Sequence, residues 1–243
     1  MKVNFYLLFI IGCLGAQSSN LAKNSPIAVL SSIKTKVVKE SIDLSKFDPS
    51  WVDSLTLSLP CYEVPVPKRT MRLPNAPRSY RNGIHRGIDF FANWGTPVRS
   101  VADGIIIRSD INYKEMPADF RIEMLKRASL INRTPSDIFN ELLLGQAVII
   151  DHGLGLFPGY RSISIYAHLS SIIPKFETGY NIKSGEIFGY SGNTGTSPST
   201  KGTKDESHLH WELILQDSKG EYYFGQDLEY SELIEALDSL FIK

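Results

Sequence analysis

Four of the five histidines in this 243-residue chain fall in three short motifs whose residue types can hold a metal or move a proton. His208 and His210 stand one residue apart in a run, 208–215, whose alternation predicts a β-strand. Strand side chains alternate between faces, so both imidazoles project from one side while Leu209, Trp211 and Leu213 project from the other. Alone, the pair reads either as two converging metal ligands or as two surface or cross-strand histidines. His85 and Asp89 add an imidazole nitrogen and a carboxylate oxygen four residues apart, both suited to zinc. His168 closes a third alternating run, 162–168, where a single histidine is often only structural. Taken together the motifs say more, because a catalytic zinc takes three protein ligands and keeps one position for water. Four histidines and one aspartate exceed that need, and surplus imidazoles suit proton exchange near neutrality. No His-Glu-x-x-His helix supplies a carboxylate base, so histidine would have to replace it.

Elements that could position these residues are legible from apolar runs and turn residues. Strands are expected at 96–101, 104–108, 147–151, 162–168, 186–190 and 208–215, with turns at Asp103-Gly104, Gly179 and Asn193-Thr194-Gly195. Their number and spacing predict a mostly β fold with minor α, an antiparallel sheet domain. Helices are expected at 117–130, with Phe120, Met124 and Ala128 in a stripe, and from a Thr134 cap to Gly145. A C-terminal helix capped by Ser231 carries Leu233, Ile234, Leu237, Leu240 and Phe241. The first two form an insertion, 111–145, that is long for a hairpin connection. It reads either as a wall of the binding groove or as a helical pair packed on the sheet edge.

A formal charge of zero, from 26 basic and 26 acidic side chains, leaves no cationic surplus for a phosphate backbone, so nucleic acid is not an expected partner. The 42% hydrophobic content can fill one main core. Lys2, a short apolar run to Ile11 and the small residues Gly12, Gly15 and Ala16 predict a secretory leader at 1–16, too short to span a bilayer. Ile10-Ile11-Gly12-Cys13 resembles a lipobox, which would make Cys13 a lipid-modified membrane anchor; the other reading is cleavage after Ala16. Residues 17–60 read as a tether and N-terminal extension, with short strands near 27–29 and 37–38. Only Cys13 and Cys61 are cysteines, which excludes a disulfide framework, and Cys61 reads as a small buried hydrophobe rather than a nucleophile.

The ordered set His85-x-x-x-Asp89, Tyr166-Ala167-His168-Leu169-Ser170 and His208-Leu209-His210-Trp211-Glu212 resembles the LytM/lysostaphin-type zinc peptidoglycan endopeptidases. Gly87-Ile88-Asp89-Phe90, Gly95-Thr96-Pro97-Val98, Ala102-Asp103-Gly104, Asp151-His152-Gly153 and the 189–195 segment match in the same order, so the resemblance covers about 62–215. It implies an antiparallel β-sheet peptidase domain, here at 61–243, with one Zn2+ bound by His85, Asp89 and His210. It further implies that His168 and His208 form the catalytic pair, handling the proton and the oxyanion of a zinc-activated water; which does which stays open. Tyr80 stands near a place where the family has an assisting tyrosine, and a surface tyrosine is the other reading. Glu212 reads either as an acceptor orienting an imidazole or as a solvated strand charge, and His152 as structural. Where the family often has Gly-Pro before the His-x-His strand, this chain has Asp205-Glu206-Ser207 after a small polar loop, 196–204. The implied substrate is peptidoglycan peptide, cut in the cell envelope or periplasm as an endopeptidase, with carboxypeptidase or amidase action as variants. A catalytically inactive wall-binding regulator of another hydrolase is the alternative from a different class. Oligomeric state is not indicated.

Overall fold

A computed structural model describes residues 47–53 and 55–241. The expected leader with Cys13, the expected tether and the short strands expected near 27–29 and 37–38 lie outside the described residues. Twelve strands among them are β1 (Pro77–Arg78), β2 (Gly83–Ile84), β3 (Ile88–Phe90), β4 (Pro97–Arg99), β5 (Gly104–Ser109), β6 (Val148–Phe157), β7 (Tyr160–Ala167), β8 (Leu169–Ile172), β9 (Asn181–Ile182), β10 (Ile187–Ser191), β11 (Leu209–Gln216) and β12 (Glu221–Tyr223). The main sheet runs β12-β11-β7-β6-β5-β9, with β3 also on β11; a second sheet runs β4-β10-β8, and β1 and β2 pair alone. Every strand pair is antiparallel. The fold is thus mostly β with few helices.

Alternation decides which face of the main sheet is which. Leu209, Trp211, Leu213 and Leu215 of β11 join Ile106, Val148, Ile150 and Tyr166 in the core, with Val98, Leu169 and Phe188 of the small sheet opposite. Phe47, Val52, Leu55 and Leu57, from the described part of the N-terminal extension, pack into the same core. Each large apolar side chain buried this way contributes about 1.5–3 kcal/mol. Helix α4 (Tyr230–Leu240) seals the core with Leu233, Leu237 and Leu240. Its cap is Glu229, not Ser231: the Glu229 and Glu232 side chains each bond the other's end of the first turn, so a capping box starts the helix earlier.

The expected insertion forms two helical segments between β5 and β6. Its neck is closed by Asp110, whose N–H donates to the Ala147 carbonyl at 3.0 Å and whose carboxylate takes Arg108 Nε at 2.9 Å. The first helix, α1, spans Ala118–Leu130. Of its expected stripe only Ala128 is buried, and Phe120 stays 45% exposed, so this helix is not anchored along its full apolar side. The second, α2, spans Ser136–Ile138 and continues as one π-helical turn, Phe139–Leu143. Pro135 occupies its cap position, because the Thr134 hydroxyl instead donates to the Arg81 carbonyl. Phe139 packs on Leu144, Ile163, Ile165 and Ile214, the face of the main sheet opposite the core. The loop expected at 196–204 holds a helical turn, α3 (Ser197–Thr200), capped by Thr196. No helix of the described residues is long and apolar enough to cross a membrane.

Candidate metal centre and its cavity

Strands β3 and β11 and the segment after β2 bring His85, Asp89 and His210 together. Asp89 and His210 are direct partners in the β3–β11 register, a position where side chains on one face meet. His85 follows β2 and is fixed at both backbone ends, its N–H donating to Ala76 at 2.8 Å and its carbonyl accepting from Asn75 at 2.8 Å. His85 Nε2 lies 2.9 Å from Asp89 Oδ1 and 3.0 Å from His210 Nδ1, which lies 2.8 Å from the same Oδ1. All three residues are buried. Ligand atoms this close leave a point about 2 Å from all three, the length of a zinc bond to nitrogen or oxygen.

The far side of each ligand is also occupied, which fixes what the near side offers. His85 Nδ1–H donates to the Leu73 carbonyl at 2.8 Å, and His210 Nε2–H donates to Glu212 Oε1 at 2.9 Å, leaving lone pairs on the nitrogens that face each other. Arg78 donates to Asp89 Oδ2 at 2.9 Å, leaving Oδ1 for the cluster. Glu212 is fully buried and faces Arg86 at 3.0 Å, so it is the orienting acceptor and not a solvated charge. Burial opposes a charged His210, yet the carboxylates of Asp89 and Glu212 outweigh it and bring the imidazole up to about 9. Burial likewise opposes the Asp89 carboxylate, but the imidazoles of His85 and His210 hold it well below its ordinary value. The same negative environment favours a metal cation between them. Two imidazoles and one carboxylate, with no thiolate, make a donor set that fits zinc.

His168 and His208 stand beside this triangle. Their ring centroids are 4.7 Å apart, and His208 Nε2 lies 3.8 Å from Asp89 Oδ1. Both donate Nδ1–H to backbone carbonyls, His168 to Thr194 at 2.7 Å and His208 to Glu206 at 2.6 Å, which leaves each Nε2 as an acceptor. Burial pushes both below the usual imidazole value, His168 the further because His208 and His210 lie close to it. The strand expected to include His168 ends at Ala167, and His168 takes a left-handed backbone with φ of 60°. A non-glycine residue in that region is held by its surroundings; here its N–H is bound to the Leu144 carbonyl at 2.9 Å, at the end of the insertion. His208 likewise precedes β11, bridged to Gly192.

The five side chains line one cavity of about 490 Å³, together with Tyr80, Arg78, Arg81, Arg121, Phe139 and Glu206. The insertion therefore walls the groove, and Phe139 also packs on the sheet. Tyr80, 58% exposed, lines the same cavity from the turn between β1 and β2. His152 is elsewhere, its ring nitrogens held by the Asp103 carbonyl at 2.8 Å and the Ser164 hydroxyl at 2.7 Å, as a structural residue. Cys61 is fully buried and its thiol is pushed up to about 12 by that burial, so it is a packing residue. Arg78, Arg81 and Arg121 carry no motif, and only the folded chain brings them to the cavity.

Residues 136–221 match the family model of Peptidase family M23. A curated relative from Buchnera aphidicola subsp. Baizongia pistaciae (strain Bp), called an uncharacterized metalloprotease, is 29% identical over 139 residues, 57% of this chain and 25% of its own length. The chain thus spans about a quarter of the length of that relative. Among solved structures, the antimicrobial peptidase lysostaphin from Staphylococcus simulans is 18% identical with a TM-score of 0.41, covering 82% of this chain and 56% of its own. A zinc containing peptidase from Vibrio cholerae is 20% identical with a TM-score of 0.36, covering 73% and 37%.

Proposed function

We propose that this chain, whose residues 136–221 match the model of Peptidase family M23, is an exported zinc metallo-endopeptidase of that family that hydrolyses peptide cross-links of bacterial peptidoglycan. The observation that carries the reading is the triangle of His85 Nε2, Asp89 Oδ1 and His210 Nδ1, with edges of 2.8–3.0 Å, flanked by two further imidazoles. His85, Asp89 and His210 would hold the zinc, which when bound supplies Lewis-acid polarisation of the scissile carbonyl and a more acidic water. His168 and His208 present unprotonated Nε2 atoms to the cavity. One imidazole takes the proton of the attacking water, and the cation so formed can donate to the oxyanion or return the proton to the leaving amine. Arg78 holds Asp89 in place, and Glu212 fixes the tautomer of His210. Export rests on the leader at 1–16, and membrane attachment on the lipobox-like Ile10-Ile11-Gly12-Cys13.

The test separates proton transfer from metal binding. His168→Ala is expected to keep its zinc, measured by atomic absorption, while amine release from purified peptidoglycan falls by a factor on the order of a hundred or more. A His168→Ala protein that cuts as fast as the native chain would refute its assigned role. A native chain that binds zinc and peptidoglycan but releases no amines would establish the inactive regulator instead.

A further inference from the structure

The insertion also delivers to the cavity a charged side chain for which the metal centre has no use. Arg121, in the first turn of α1, lines the same cavity as the five site residues. Its Nε donates to the Gly195 carbonyl at 3.0 Å. Among the described residues no hydrogen bond engages its two terminal nitrogens.

Glu115 and Glu206 attract Arg121 through space, but among the described residues no carboxylate forms an ion pair with it. The Glu115 carboxylate already accepts from the Tyr113 hydroxyl at 2.8 Å, Met116 N–H at 3.1 Å, Gly195 N–H at 2.9 Å and the Ser199 hydroxyl. Asp89 is taken up by His85, His210 and Arg78, and Glu206 is the other acidic side chain on the cavity wall. The remaining arginines are engaged too: Arg78 on Asp89, and Arg81 on the Ile84 carbonyl with its guanidinium 4.8 Å from the Phe139 ring centre. Arg121 is left as a fork with two open donors, aligned by its single anchor.

We propose that Arg121 binds a free carboxylate of the substrate, so that this chain selects peptides bearing a carboxylate within a few residues of the bond to be cut. The inference rests on the peptidase reading above. A planar guanidinium matches a carboxylate with two parallel hydrogen bonds, a geometry that lysine cannot reproduce. Fixing Nε on Gly195 beforehand lowers the ordering cost of that contact. Arg121 and the five site residues line one cavity of about 490 Å³, so a carboxylate held by Arg121 would lie in the cavity that also holds the candidate metal ligands. If Arg121 only clamped the Gly195 turn, its removal would lower stability without changing preference for a carboxylate.

The experiment uses a tetrapeptide of alternating L- and D-alanine as free acid and as C-terminal amide, titrated calorimetrically into the zinc-loaded full chain. The His168→Ala background keeps the peptide intact. The acid is expected to bind on the order of tenfold more tightly than the amide, Arg121→Gln to bring that ratio near one, and Arg121→Lys to keep part of it. Because both peptides meet the same protein, a general loss of folding or zinc cancels from the ratio. Equal affinity for acid and amide with Arg121 present, or an undiminished ratio after Arg121→Gln, would overturn the proposal. Failure of the zinc-loaded native chain to cut peptidoglycan would count against the peptidase reading, while the binding ratio still decides the role of Arg121.

Discussion

Three ligand atoms within 3.0 Å of one another, on two imidazoles and a carboxylate, repel as lone pairs unless a cation or protons stand between them. The protein has built this arrangement deliberately, since Leu73, Glu212 and Arg78 each hold the remote atom of one ligand and so aim the near atom inward. Asp89 is the anionic member, and its loss also strands Arg78. Zinc content is therefore expected to fall from about one ion per chain to background in both Asp89→Ala and His210→Ala. Atomic absorption after dialysis measures this directly, and full zinc in both variants would overturn the ligand assignment. A strand period of two placed His210 and Glu212 on one side of β11, whereas His208, expected in the same strand, precedes it and the role of Glu212 had two open readings. Arg78, Arg81 and Arg121 were not legible, since an arginine without a motif gives no sign of which cavity the fold will bring it to.

Elements supply what single residues cannot, and here the decisive one is the register of β3 against β11. That three-residue strand, Ile88–Phe90, is too short to show periodicity, so the pairing of Asp89 with His210 could not be read from the sequence except through the resemblance. The helical insertion was legible as two segments, the first from the spacing of Phe120, Met124 and Ala128 and the second from Pro135 and the stop at Gly145, although Thr134 does not cap it. The insertion's role was not legible, because packing of Phe139 on Ile163, Ile165 and Ile214 is a long-range contact. The end of the insertion presses on the turn that holds His168: Gly145 has φ of 61°, and a Cβ there would meet the Thr194 backbone at 2.3 Å. Gly145→Ala is thus expected to cost about 1–3 kcal/mol, read as a melting temperature lower by roughly 2–4 °C for each kcal/mol. It should also slow cleavage, because Leu144, its neighbour, holds the His168 N–H. An unchanged melting temperature would show that the turn yields freely.

For the whole molecule, a balanced charge and a zinc-type site are consistent with an enzyme acting on peptide, and the leader expected at 1–16 would decide where it acts. If Cys13 carries acyl chains, attachment strengthens by about 0.8 kcal/mol per buried CH₂, and two chains make it lasting. The native chain is expected in the detergent phase of a cell fractionation, with Cys13→Ser moved to the soluble phase or left as an uncut precursor. Soluble behaviour of both, with a mature protein beginning at Gln17, would show an ordinary secretory cleavage. The central claim is that this site cuts peptide bonds of the bacterial wall. Its most direct test is mass spectrometry of the fragments released when the zinc-loaded chain is incubated with purified peptidoglycan. The account predicts that cross-linked fragments are converted to their uncross-linked halves, with one water added per cut, and that a chelator abolishes this. An unchanged fragment profile from a fully zinc-loaded chain, across peptidoglycans of different cross-bridge chemistry, would contradict it.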